Sequence, residues 1–109
     1  MAGVGSDVVF EDEKIKVWEF HLAPGERTPV HTHELEYVFY VLSGSTLEVF
    51  DADDKFLTSL DFADGDVLPL RLENGELIVV GDEATRLPAT HWARNAGTTP
   101  YREVLIEKK

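Results

Sequence analysis

Hydrophobic positions along this chain come in short runs closed by Gly, Pro, Asn or Asp, and none repeats at the period of an amphipathic helix. Val8-Val9-Phe10 leads into an acidic turn. Lys14 to Ala23 alternates, with Ile15, Val17 and Trp18 to Leu22 supplying apolar faces, and Pro24-Gly25-Glu26 turns the chain. Thr28 to His33 reads as extended. Leu35 to Leu42 is apolar at nearly every position, and its aromatic and β-branched content selects strand over helix. Ser43-Gly44 turns, Thr46 to Phe50 returns, and Asp51 to Lys55 is a loop. Phe56 to Phe62 is a strand closed by Ala63 to Asp66. Val67 to Leu72 and Leu77 to Val80 flank Asn74-Gly75, a dipeptide that favours a two-residue hairpin. Glu83 to His91 and Tyr101 to Ile106 complete the set. Roughly eight to eleven short strands at this spacing predict an all-β domain, a sandwich or barrel of two antiparallel sheets in the jelly-roll manner.

Alternation also sorts side chains by face. Read as one extended segment, His31, His33, Leu35, Tyr37, Phe39 and Val41 share a side, which is the lumen if the histidines face inward. The opposite side carries Glu34, Glu36, Val38, Tyr40 and Leu42. Val38, Tyr40 and Leu42 need cover, either from another strand of the chain or from a second subunit, and a homodimer is the expected form.

Length bounds the rest. The 109 residues make one domain, 1–109, with Met1 to Asp7 a loose N-terminus. A net charge of −11 opposes a nucleic-acid or anionic-membrane partner, both of which need a basic footprint, and leaves a small-molecule ligand. The chain has no cysteine, so disulfide scaffolds, thiolate metal sites and thiol nucleophiles are excluded, and a cytoplasmic location is expected. No run approaches the length of a membrane helix. No Gly-x-Ser-x-Gly elbow or phosphate-binding glycine loop is present, so any catalysis is expected to centre on a metal.

Three of the four histidines supply that centre. His31 and His33 project from one side of a strand. His91, far downstream, supplies a third imidazole from a distant strand. Such a set suits one divalent transition metal: Fe, Ni, Zn, Mn or Cu. The other reading is of structural or exposed histidines. His21 lies before the turn and is expected at the surface. Arg27, Arg71, Arg86 and Arg94 are candidates to hold a substrate carboxylate or to pair with surface acids.

These residues resemble the small single-domain members of the cupin superfamily. Gly25, His31, His33 and Gly44 match its first motif, G-x5-H-x-H-x3,4-E-x6-G, and His91 and Asn95 match the H-x3-N end of its second. The resemblance spans Gly25 to Asn95. It implies a double-stranded β-helix with His31, His33 and His91 as metal ligands, and a place near the small cupins of β-alanine degradation. Tyr37 stands where the first motif has its glutamate, which removes a negative charge and leaves the metal more Lewis-acidic. Three roles are open to Tyr37: a hydrogen-bonded core tyrosine, a substrate contact acting as a catalytic residue, or a phenolate ligand. Pro88 replaces a glycine before His91, so that loop is expected to differ in shape. Asn95 is expected to serve a turn. The implied function is a metal-dependent enzyme on a small organic acid or carbonyl compound, of dioxygenase, isomerase or lyase type; the alternative is a non-catalytic metal or small-molecule binding module.

Overall fold

A computed structural model describes residues 3–109. Eleven strands are formed among them: β1 (Asp7–Glu11), β2 (Ile15–Leu22), β3 (His31–Thr32), β4 (Tyr37–Ser43), β5 (Thr46–Phe50), β6 (Phe56–Asp61), β7 (Val67–Glu73), β8 (Glu76–Val79), β9 (Asp82–Pro88), β10 (Thr90–Asn95) and β11 (Tyr101–Lys108). They make a seven-stranded sheet, β1-β2-β11-β4-β7-β8-β9, and a four-stranded sheet, β3-β10-β5-β6. Every pairing is antiparallel. The architecture is the all-β jelly roll of two antiparallel sheets that the runs predict. Its core is built by inward side chains of the larger sheet, among them Phe20, Phe39, Val41, Leu70 and Leu105, against Leu47 of the smaller one.

Turn chemistry fixes the hairpins. Asn74 and Gly75 have φ of 51° and 78°, the left-handed pair that a mirrored two-residue turn requires, and they bring Leu72 opposite Leu77. A Cβ on Gly44 would lie 2.1 Å from the Phe62 carbonyl oxygen, so only glycine lets the chain pass there from β4 to β5.

The segment from Thr28 to His33 is not a continuous strand. Only His31–Thr32 joins the sheet, because Pro29 has no N–H to offer; the Thr28 N–H donates separately to Ala93 O at 2.8 Å. The chain then leaves the smaller sheet and enters the larger one at Tyr37, not Leu35. His31, His33, Tyr37, Phe39 and Val41 are all buried, while Leu35 falls in the crossover and is half-exposed. Glu83 to His91 likewise divides at Ala89 into β9 and β10, which lie in different sheets. Of the N-terminal segment, Met1 and Ala2 lie outside the described residues. Val4 is buried in the core, the Ser6 N–H donates to Glu19 O at 2.8 Å, and Asp7 opens β1.

The outward side of β4 is uncovered. Tyr40 is 48% and Leu42 41% exposed. The last strand of the chain lies beside β4 and does not cross it: Val104 pairs with Tyr40 and Ile106 with Val38, while Val67 and Pro69 flank them from β7. The result is an apolar band across the outer face of the larger sheet.

Candidate metal centre

His31 and His91 are direct antiparallel partners on β3 and β10, which sets their side chains next to each other on the lumen side. The outward neighbours reinforce this register, since Thr32 Oγ1 and Thr90 Oγ1 lie 2.9 Å apart. The His33 N–H donates to Ala89 O at 3.0 Å, holding the third imidazole against the same strand junction. Ring centroids are 4.7 Å apart for His31 and His91, 5.0 Å for His31 and His33, and 5.1 Å for His33 and His91. One nitrogen from each ring falls within 4.8 Å of the others.

Two prolines orient two of the rings. His31 Nδ1 donates to Pro29 O at 3.0 Å and His91 Nδ1 to Pro88 O at 2.7 Å. A carbonyl only accepts, so each Nδ1 carries the proton and each Nε2 keeps a lone pair for an ion. Pro88, the departure from the family motif, thus positions His91. Burial lowers all three imidazole pKa values. His33 falls to about 2, with His91 and His31 adding to the effect of burial; His91 falls to about 4 despite the opposing Pro88 carbonyl; His31 falls despite that of Pro29. The three rings are therefore neutral at neutral pH, the form that ligates. His33 Nδ1 is buried without a hydrogen-bond partner among the described residues. An imidazole left unpaired in this way is costly unless something outside the protein meets the ring. Neutral, convergent, pre-oriented and incompletely satisfied, this donor set fits a divalent transition metal.

The three rings open into a cavity of about 100 Å³, walled mainly by apolar groups such as Phe20, Phe39, Leu70 and Leu105. Tyr37 forms part of the wall and stacks on His33, with centroids 4.4 Å apart and planes 16° from parallel. Burial, with the Glu103 and Glu107 carboxyls adding to it, pushes its phenol well above the ordinary value, so Tyr37 is neutral. Glu34 is exposed, and Glu36 accepts the Leu72 N–H at 3.1 Å, so neither carboxylate joins the histidines.

The remaining candidates lie elsewhere. His21 is exposed, 3.9 Å from Asp7. Arg27 lies over the Trp92 ring at 3.6 Å, Arg71 pairs with Glu73 and Glu83, Arg86 with Glu76, and Arg94 with Glu48. None of these four lines the cavity. Asn95 is fully buried and binds Leu22 O, Thr99 O, Ser45 Oγ and the Gly97 N–H, which makes it the organiser of the turn after β10. Two buried carboxyls escaped the sequence reading: Glu103, which accepts the Tyr101 hydroxyl at 2.6 Å, and Glu107, which accepts Trp18 Nε1–H at 2.6 Å. Their signal was alternation with Leu105, but Val104 and Ile106 make the other parity look equally apolar.

Residues 2–61, more than half of the chain, match the model of the auxin-binding protein family. The chain belongs to that family. This auxin-binding-family protein is a small cupin, and its fold is shared widely. A cupin domain from Bordetella pertussis Tohama I superposes with a TM-score of 0.68 at 21% identity, over 94% of this chain and 90% of that one. A conserved protein with a double-stranded β-helix domain from Klebsiella pneumoniae gives 0.58 at 21% identity, over 93% and 72%. In sequence, auxin-binding protein T85 of Nicotiana tabacum is 42% identical over 41 residues. That match covers 38% of this chain and 22% of T85, so this chain aligns with about a fifth of its relative's length. The narrower likeness to β-alanine-degradation cupins rests on the sequence motif alone.

Proposed function

We propose that His31, His33 and His91 hold one divalent transition metal (Fe, Ni, Zn, Mn or Cu), and that a small organic acid or carbonyl compound binds it from the apolar cavity and is activated there. The observation that carries this reading is the convergence of three buried, neutral imidazoles on one mouth of that cavity. When bound, the metal supplies Lewis acidity toward an oxygen of the ligand. The chain's own residues do the rest. Pro29 and Pro88 carbonyls fix the rings, Phe20, Phe39 and Leu70 exclude water, and the neutral Tyr37 phenol beside His33 contacts the substrate and can donate a hydrogen bond to it. Dioxygenase, isomerase and lyase chemistry all suit such a centre.

A second reading is favoured by the family and by the name of T85: a module that binds a small acid at the metal without converting it. One experiment separates the two. Zinc-, nickel- and iron-loaded protein is incubated with a panel of small carboxylic acids and carbonyl compounds, in air, and the mixture is followed by calorimetry and mass spectrometry. Turnover that disappears in His91→Ala supports the enzyme. Saturable, metal-dependent binding with every ligand recovered intact supports the binding module. Absence of any metal-dependent binding contradicts both.

The outer apolar band supports a homodimer built on the larger sheet, through Val38, Tyr40, Val67 and Val104. Sedimentation of the wild type as a dimer and of Tyr40→Lys as a monomer is expected. The charge of −11 and the absence of cysteine fit a small-molecule partner and a cytoplasmic setting.

A further inference from the structure

Glu103 is a buried carboxyl without a cation. It projects inward from β11, 6% exposed, with Phe20 of β2 on one side in register and Val41 of β4 on the other. No Lys, Arg or His forms an ion pair with it among the described residues. One oxygen accepts the Tyr101 hydroxyl at 2.6 Å. The other makes no hydrogen bond among the described residues, and the side chain lines the same cavity as the three histidines. A carboxyl so placed costs free energy in a purely structural role and is seldom kept without a partner.

Its position relative to the histidines is defined by β4. Tyr37, which stacks on His33, and Val41, the neighbour of Glu103, are four residues apart on that strand, about 13 Å of backbone. Between these two levels the wall is Phe39, Leu105 and Leu68. The cavity therefore has a metal-binding mouth, an apolar middle and one polar group at depth.

We propose that Glu103, held by the Tyr101 hydroxyl, is a second anchor and a specificity-determining residue: it takes a hydroxyl group at the end of the ligand remote from the histidines, so that the ligand is a hydroxylated small organic acid or carbonyl compound. This rests on the reading of the histidine site given above. A hydroxyl suits the position better than an ammonium, because Glu103 offers one free acceptor oxygen among mainly apolar walls, whereas an ammonium brings three donors. Burial raises the Glu103 pKa to about 7, with the Tyr101 hydrogen bond opposing, so both protonation states occur near neutrality. A hydroxyl donates to the carboxylate or accepts from the acid, whereas an ammonium binds only the carboxylate.

The test uses the full chain loaded with zinc and straight-chain alkanoates from butanoate to octanoate, each compared with its ω-hydroxy and ω-amino counterpart by calorimetry. At the best-fitting length the hydroxyl strengthens binding about tenfold or more. Glu103→Leu loses that increment while keeping its zinc and its affinity for the plain acid, and Glu103→Gln, which still hydrogen-bonds, keeps most of it. Should Glu103→Leu not fold, Glu103→Met takes its place, and the wild-type comparison decides by itself. No hydroxyl increment at any length, an increment that survives undiminished in Glu103→Leu, or a preference for the ammonium overturns the proposal. If the plain acids do not bind the zinc-loaded protein, the reading of the histidine site fails; if they bind and the hydroxyl adds nothing, only the role of Glu103 fails.

Discussion

The cavity has two polar ends, and burial acts on them in opposite directions. At the mouth it lowers the pKa of three histidines; at depth it raises that of Glu103. Both shifts favour neutral groups, as a low-dielectric site requires. The two ends differ in how they are held. At the mouth, His31 and His91 are oriented by backbone carbonyls and fixed by strand register, so the fold itself makes the rings converge. At depth, a single hydroxyl partners a carboxyl that keeps an oxygen free. The first arrangement suits the cation proposed for it; the second suits the hydroxyl proposed for Glu103.

That contrast can be broken at several points. The largest effect is expected from His91→Ala. Zinc added to the wild type raises the melting temperature by mass action. In the variant this rise disappears and metal affinity falls by on the order of a hundredfold or more, since removing a ligand costs at least as much as removing the group that orients one. Next comes the wall between the two ends. Phe39→Ala removes a buried ring and costs roughly 3–5 kcal/mol in denaturant unfolding.

Glu103→Gln acts through pH. The folded pKa of about 7 lies above the ordinary 4.5, so between these values the folded chain holds a proton that the unfolded chain has released. Stability of the wild type relative to Glu103→Gln therefore falls as pH rises from 4.5 to 7, by up to roughly 3 kcal/mol, and is level outside that window. Tyr101, hydrogen-bonded to Glu103, and Tyr37, in the wall of the same cavity, are pushed up by burial and keep their protons throughout. Unfolding of both proteins across this range, with the difference taken at each pH, checks the sign; the histidines contribute equally to both and cancel. The smallest effect is expected from Tyr37→Phe. The ring still stacks on His33, and metal affinity changes by no more than about threefold, since a neutral phenol is not the ligand that a carboxylate would be. A loss comparable to that of His91→Ala would identify the phenol as a ligand.

The two ends were also unequally legible in the sequence. The mouth was marked by His31-Thr32-His33, Gly25, Gly44 and the distant His91, because a metal demands particular donors at particular spacing. The strand content was readable from apolar runs and turn dipeptides, and Asn74-Gly75 forms the hairpin it signals. The point at which the chain changes sheets was not readable. Alternation survives the crossover from β3 to β4, so the segment looked like one strand. Pro29 and Pro88 act through main-chain carbonyls, which leave no trace in residue type. Glu103 was hidden because both faces of β11 bear apolar residues, one for the core and one for the outer band. The parity of a strand that is apolar on both sides is set by the tertiary fold.

The most direct test is the metal content of untagged protein and of His31→Ala, each purified, dialysed against chelator, reconstituted and measured by elemental mass spectrometry. Near-stoichiometric iron, nickel, zinc, manganese or copper in the wild type, lost in the variant, is the predicted result. Equal metal in both, or none in either after reconstitution, would contradict the assignment of His31, His33 and His91 as a metal centre.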